Sequence, residues 1–138
     1  MRMYRRFSAL LTLCVFGAAA CGSDVTSPDV ATTTAVGFAS RLQEGGSAWR
    51  TFTVAASGTV KVQLVTVSQP DVVMRIGIGT VSGTECTVTQ KTETAASATS
   101  DTPQITATLN AGTYCVKISD IGNLTTIVDF VIVIVSPI

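Results

Sequence analysis

The chain of 138 residues contains no histidine. That absence removes the side chain most often used as a general base near neutral pH, and also the commonest transition-metal ligand, so serine-triad and zinc-site chemistry lose their usual parts. There is no Gly-x-Ser-x-Gly elbow, and Glu85 and Glu93 read as solvated surface charges rather than as a carboxylate dyad. Charged residues make up only 13% of the chain and the basic ones are scattered, which leaves no electrostatic footprint for nucleic acid. No apolar run reaches the roughly 20 residues that a membrane-spanning helix needs, and no stretch sustains a helical period. The sequence therefore reads as non-catalytic, and not as a binder of nucleic acid.

What is present is the β-branched and turn-forming set: Val, Thr, Ser, Gly and Ile dominate beyond residue 20. Before that point, Arg2, Arg5 and Arg6 precede an apolar run from Phe7 to Phe16, and Gly17-Ala18-Ala19-Ala20 supplies small residues. This charged, apolar and small-residue order is that of a secretory signal, so residues 1–20 are read as targeting and not as fold. Ala18-Ala19-Ala20-Cys21 resembles the bacterial lipobox, in which the cysteine becomes the lipid-modified first residue. The resemblance implies a membrane anchor at Cys21, and Gly22 in place of Asp implies sorting to the outer membrane or cell surface. Cleavage after Ala20 by the general signal peptidase, giving a secreted protein, is the alternative. Residues 21–35 are polar and small and read as a tether, leaving 36–138 as one domain. Without the leader, six basic residues face nine acidic ones.

Of four cysteines, Cys14 lies in the leader and Cys21 is the candidate lipid acceptor, so Cys86 and Cys115 remain. In an exported domain the simplest expectation is one disulfide between them, with two free thiols or an intermolecular bond as alternatives.

Period-two alternation recurs along the domain. Phe52 and Val54 oppose Thr51 and Thr53; Val60, Val62 and Leu64 oppose Lys61 and Gln63; Met74, Ile76 and Ile78 share a face opposite Arg75. Ile105, Ala107 and Leu109 alternate with threonines, and Asn110-Ala111-Gly112 closes a turn into a strand with Tyr114, Val116 and Ile118 on one face and Cys115 on the other. A disulfide at Cys115 would thus staple neighbouring strands from the outer face or tie a loop over it. Strands are also expected at Val36 to Leu42 and, briefly, around Glu85 to Thr89, whereas Lys91 to Pro103 is polar and reads as a surface loop. From Thr126 to Val135 both faces are apolar apart from Asp129, the pattern of a central strand whose second face meets the tether, a loop or a partner. About eight short strands separated by Gly, Pro, Asn and Asp turns predict an all-β antiparallel sandwich, jelly-roll-like, with its strand order left open.

Phe52-Thr53-Val54 followed by Ser57-Gly58-Thr59-Val60, then Asp71-Val72-Val73-Met74, then Leu109-Asn110-Ala111-Gly112-Thr113-Tyr114, and a last hydrophobic strand from Asp129 to Val133, together resemble the bacterial pre-peptidase C-terminal domain. The likeness spans Val36 to Ser136 and implies a β-sandwich module of exported proteins. The chain departs from that family's Asp-x-Asp-Leu-Tyr strand at Val73 and Arg75, which weakens any acidic cation site carried over with it.

The resulting expectation is a lipid-anchored, non-catalytic module that contacts polysaccharide or protein, needs no cofactor, and meets the membrane through Cys21. Trp49 and Tyr114 are candidate sugar platforms, although aromatics on strands are more often core residues. The alternative is a calcium-stabilised accessory domain with Asp71, Asp120 and Asn123 as oxygen ligands, set against the plainer reading that such residues form turns.

Overall fold

The computed structural model describes residues 32–97 and 102–138. The leader, Cys21 and the tether up to residue 31 lie outside the described residues. Eight strands follow in order: β1 (Thr33–Leu42), β2 (Ser47–Val54), β3 (Gly58–Val67), β4 (Met74–Ser82), β5 (Glu85–Thr94), β6 (Ile105–Leu109), β7 (Gly112–Asp120) and β8 (Val128–Pro137). They form two antiparallel sheets with orders β1-β8-β3-β6 and β2-β7-β4-β5, the all-β sandwich expected.

The pairing is nested. β4 pairs with β5, β3 with β6, β2 with β7 and β1 with β8, as in one long hairpin; rolling that hairpin up adds the β3·β8 and β4·β7 contacts. This is the arrangement of a jelly roll. Every ladder is antiparallel and pairs an odd strand with an even one, so the sandwich has two distinguishable ends. At the proximal end Thr33 pairs with Pro137 and Gly58 with Leu109; at the distal end Leu42 pairs with Val128 and Met74 with Asp120.

Alternation places the core where the sequence put it. Val60, Val62 and Leu64 of β3, Met74, Ile76 and Ile78 of β4, Val116 and Ile118 of β7, and Val128, Phe130, Ile132 and Ile134 of β8 are all buried between the sheets. Phe38 packs edge-on against Phe130 at 5.1 Å between ring centroids, and Phe52 lies 6.0 Å from Tyr114. β8 is a central strand, as its composition predicts. Its outward valines, Val131, Val133 and Val135, are only half-buried, and Ala35, Gly37 and Ala39 of β1 flank them in the plane of the sheet. Asp129 faces the same way and pairs with Arg41 of β1, Nε to Oδ1 3.0 Å.

Polar side chains lace both open sides of the sandwich. Arg50 of edge strand β2 donates Nη1 to the Gly37 carbonyl of edge strand β1 at 2.8 Å. On the opposite side Gln90 of β5 donates Nε2 to the Thr106 carbonyl of β6 at 3.3 Å. A bulge after Leu64 interrupts β3, and there Gln104 stands in for a strand residue: its Oε1 accepts from the Leu64 N–H at 2.9 Å and its Nε2 donates to the Leu64 carbonyl at 3.2 Å. The Gln104 amide has the donor and acceptor of a peptide group, and the Leu64 carbonyl also accepts the Ser97 backbone N–H at 2.9 Å.

Two strand boundaries and the course of the disulfide differ from expectation. β1 begins at Thr33, taking three residues from the predicted tether, because Thr33, Thr34 and Ala35 pair with Pro137, Ser136 and Val135. β5 runs to Thr94, so Lys91 to Thr94 is strand and not loop; these polar residues form the edge ladder with Gly77 to Met74, where backbone pairing needs no apolar side chain. The remaining difference is the course of the disulfide. Cys86 and Cys115 are bridged, with Cα atoms 5.9 Å apart, but their strands β5 and β7 are not neighbours, since β4 lies between them. At the bulge between Ile78 and Gly79, β5 folds over the outer surface of β4. A Cβ on Gly79 would sit 1.9 Å from the Thr87 carbonyl oxygen, so only glycine admits this crossing. Cys115 points away from the core as its register requires, and is nonetheless fully buried beneath the crossing.

Candidate functional site

The crossing of β5 shapes the outer face of the β2-β7-β4-β5 sheet. Its consequence is a groove of about 190 Å³ lined by Arg75, Ile76, Gly77, Val88, Lys91, Lys117 and Ser119. Each lining side chain is placed by register. Lys117 of β7 pairs with Gly77 of β4, and Gly77 pairs with Lys91 of β5, so two lysines flank a position that has no side chain. Trp49 of β2 extends this row as the cross-strand partner of Lys117. The adjoining row runs Ser47, Ser119, Arg75 and Glu93.

Gly77 forms the floor because a Cβ there would lie 2.5 Å from Val88 Cγ1 and 2.9 Å from the Gln90 carbonyl oxygen. Val88 overhangs from one side and the methylene stems of the lysines supply the walls. Arg75 is held by Glu93, Nε to Oε1 3.1 Å, with both side chains about half exposed. Lys91 and Lys117 have no ion-pair partner among the described residues. Half of the six basic residues beyond the leader thus line one groove. No carboxylate or cysteine is among its lining residues, and Ser119 provides the only hydroxyl. The arrangement suits attraction of negative charge, since lysine ammoniums act as mobile point charges.

The residues singled out from the sequence go to other places. Tyr114 packs against the core and Phe52, and its hydroxyl donates to the Asn110 carbonyl at 3.1 Å, four residues upstream. It serves the turn, whereas Trp49 is partly exposed on the outer face. Asp120 stands at the distal end, where its carboxylate collects backbone N–H groups: Gly45 donates to Oδ2 at 2.7 Å, and Gly122, Asn123 and Leu124 donate to Oδ1 at 3.0, 3.1 and 3.2 Å. The Gly45 bond is the largest influence holding the carboxyl below its usual pKa; partial burial opposes it, and the Gly122, Asn123 and Leu124 bonds add to it. Asn123 enters this cluster through its backbone and not through its side-chain oxygen. Asp71 lies in the β3–β4 connection, exposed, with φ of 57°. Among the described residues no three His, Cys, Asp or Glu side chains gather as a metal-ligand set.

Sequence reasoning missed Lys91 and Lys117 as a pair. Lys91 fell in a stretch read as loop, and face alternation cannot say that two lysines 26 positions apart become next-but-one neighbours. One signal was available: Gly77 and Gly79 inside an apolar strand mark a bulge or a close backbone approach.

No protein-family model matches the sequence, and comparison with the curated proteins gives no significant match.

Proposed function

We propose that this chain is an exported, lipid-anchored, non-catalytic β-sandwich module of the bacterial cell envelope, similar in kind to the pre-peptidase C-terminal domain, which contacts a polysaccharide or protein at the surface. The Cys86–Cys115 bridge carries the reading, because structural disulfides persist in exported proteins and not in a reducing cytosol. The leader and the Ala18-Ala19-Ala20-Cys21 sequence support it, as does a face that gathers Lys91 and Lys117, neither with an ion-pair partner among the described residues. The anchor joins the domain by way of β1, whose first pairs lie at the proximal end, while Trp49, Lys91 and Lys117 lie toward the distal end. A ligand at the groove is thereby met away from the membrane.

The experiment is metabolic labelling of the full chain with a fatty-acid analogue, followed by cell fractionation. Wild type is expected to carry the label and to partition with detergent-extracted membranes, and Cys21→Ser to lose the label and become soluble. An unlabelled, soluble wild type would reject the anchor.

A further inference from the structure

The geometry points to the Trp49–Lys117–Gly77–Lys91 row as the binding site for a linear acidic oligosaccharide, one whose sugar units carry carboxylates. This deepens the binding-module reading and rests on it. Two lysines stand one strand to either side of Gly77, their Cα positions roughly 10 Å apart from two inter-strand steps, and neither has an ion-pair partner among the described residues. Two ammoniums facing one groove repel each other, so an anion spanning both relieves a cost that the free protein carries.

The form of the groove selects among anions. It opens on the face of β4 and β7, each of which is paired on both sides, so the strand backbone donors there are spent in ladders. A compact phosphate is usually cradled by convergent backbone N–H groups, which this face does not offer; an extended acidic peptide gains affinity by pairing with an open edge, and the edges of β2 and β5 bound the row in the plane of the sheet, not on the face where the lysines stand. A sugar chain needs neither. Its carboxylates meet Lys91 and Lys117 as the chain runs across the strands beside Val88, whose side chain closes over Gly77, Ser119 offers a hydroxyl, and Trp49 at the end of the row presents an indole to the C–H face of the next unit.

Trp49 is the sole tryptophan, so its fluorescence reports on this row alone. The full chain in detergent micelles is titrated with oligogalacturonate, with the same oligomer methyl-esterified, with polyglutamate and with inorganic phosphate, at low and at physiological salt. A saturable change in emission is expected with oligogalacturonate, weakening as salt rises and absent with the ester. Lys91→Gln and Lys117→Gln are each expected to weaken binding by roughly tenfold, the loss of one charge-assisted contact, with unchanged thermal unfolding. Equal affinity for the ester, an equal or stronger response to polyglutamate or phosphate, undiminished binding by both variants, or no response at all would overturn the assignment. The ester and salt comparisons use the wild-type chain, so they decide even where a variant folds poorly. Acid-sugar binding by a chain that takes up no lipid would reject the anchor and keep the site; a labelled, membrane-held chain that ignores oligogalacturonate would do the reverse.

Discussion

Asp120 joins two loops that are far apart in sequence, because one of its oxygens takes the N–H of Gly45 and the other serves the turn that leads out of β7. Its carboxyl is held below the usual range, so the sign of its linkage to folding is fixed: the stabilisation is complete above the unfolded pKa of about 3.8 and is lost as pH falls through the lower, folded value. Asp120→Asn is expected to lower the melting temperature at pH 7, and thermal scans should show the gap to wild type closing only below about pH 4. That Asp120-Ile121-Gly122-Asn123 is a turn was legible, since such residues favour one. Whether its oxygens would hold a cation or backbone was not. The deciding donor, Gly45, is 75 positions away, and only the fold brings it there.

Among the strands, β8 was read most fully and β5 least. Strict alternation told which residues of β8 face inward, and the two faces are predicted to respond differently. Ile132→Ala removes a fully buried side chain and should cost about 2–5 kcal/mol in denaturant unfolding. Val133→Thr places its hydroxyl on the half-buried outer face and should stay within about 0.5 kcal/mol. β5 was illegible because its course depends on what lies beneath it: polar residues extend it along the edge of β4, and the bare Gly79 lets it bend over the sheet. Gly79→Ala is therefore expected to destabilise by roughly 1–3 kcal/mol through overpacking. After oxidative refolding, a thiol assay should find more unbridged Cys86 and Cys115 than in wild type. Bridging these residues, with a sequence separation of 29, stabilises by about 3.6 kcal/mol in the chain-entropy model, so a shortfall in bridging would deepen the loss.

At the level of the whole molecule, strand number and class could be read from turn residues and alternation, but the order β1-β8-β3-β6 and β2-β7-β4-β5 could not, because a period of two says which face a residue takes and nothing about its neighbour. The nested order brings the first strand against the last, so much of the chain must be organised before that ladder closes. Refolding followed by Trp49 fluorescence with the disulfide intact should accordingly fall in the millisecond-to-second range typical of such topologies. The β1–β8 ladder has a further, mechanical consequence. A pull transmitted through the residues before Thr33, opposed by a load on the distal half, acts along the strand axis, and the ladder bonds lie across that axis. All ten register positions from Thr33 to Leu42 then resist together in shear, and cannot be peeled one by one as they would be by a sideways force. Tension on this domain is met by its longest uninterrupted seam.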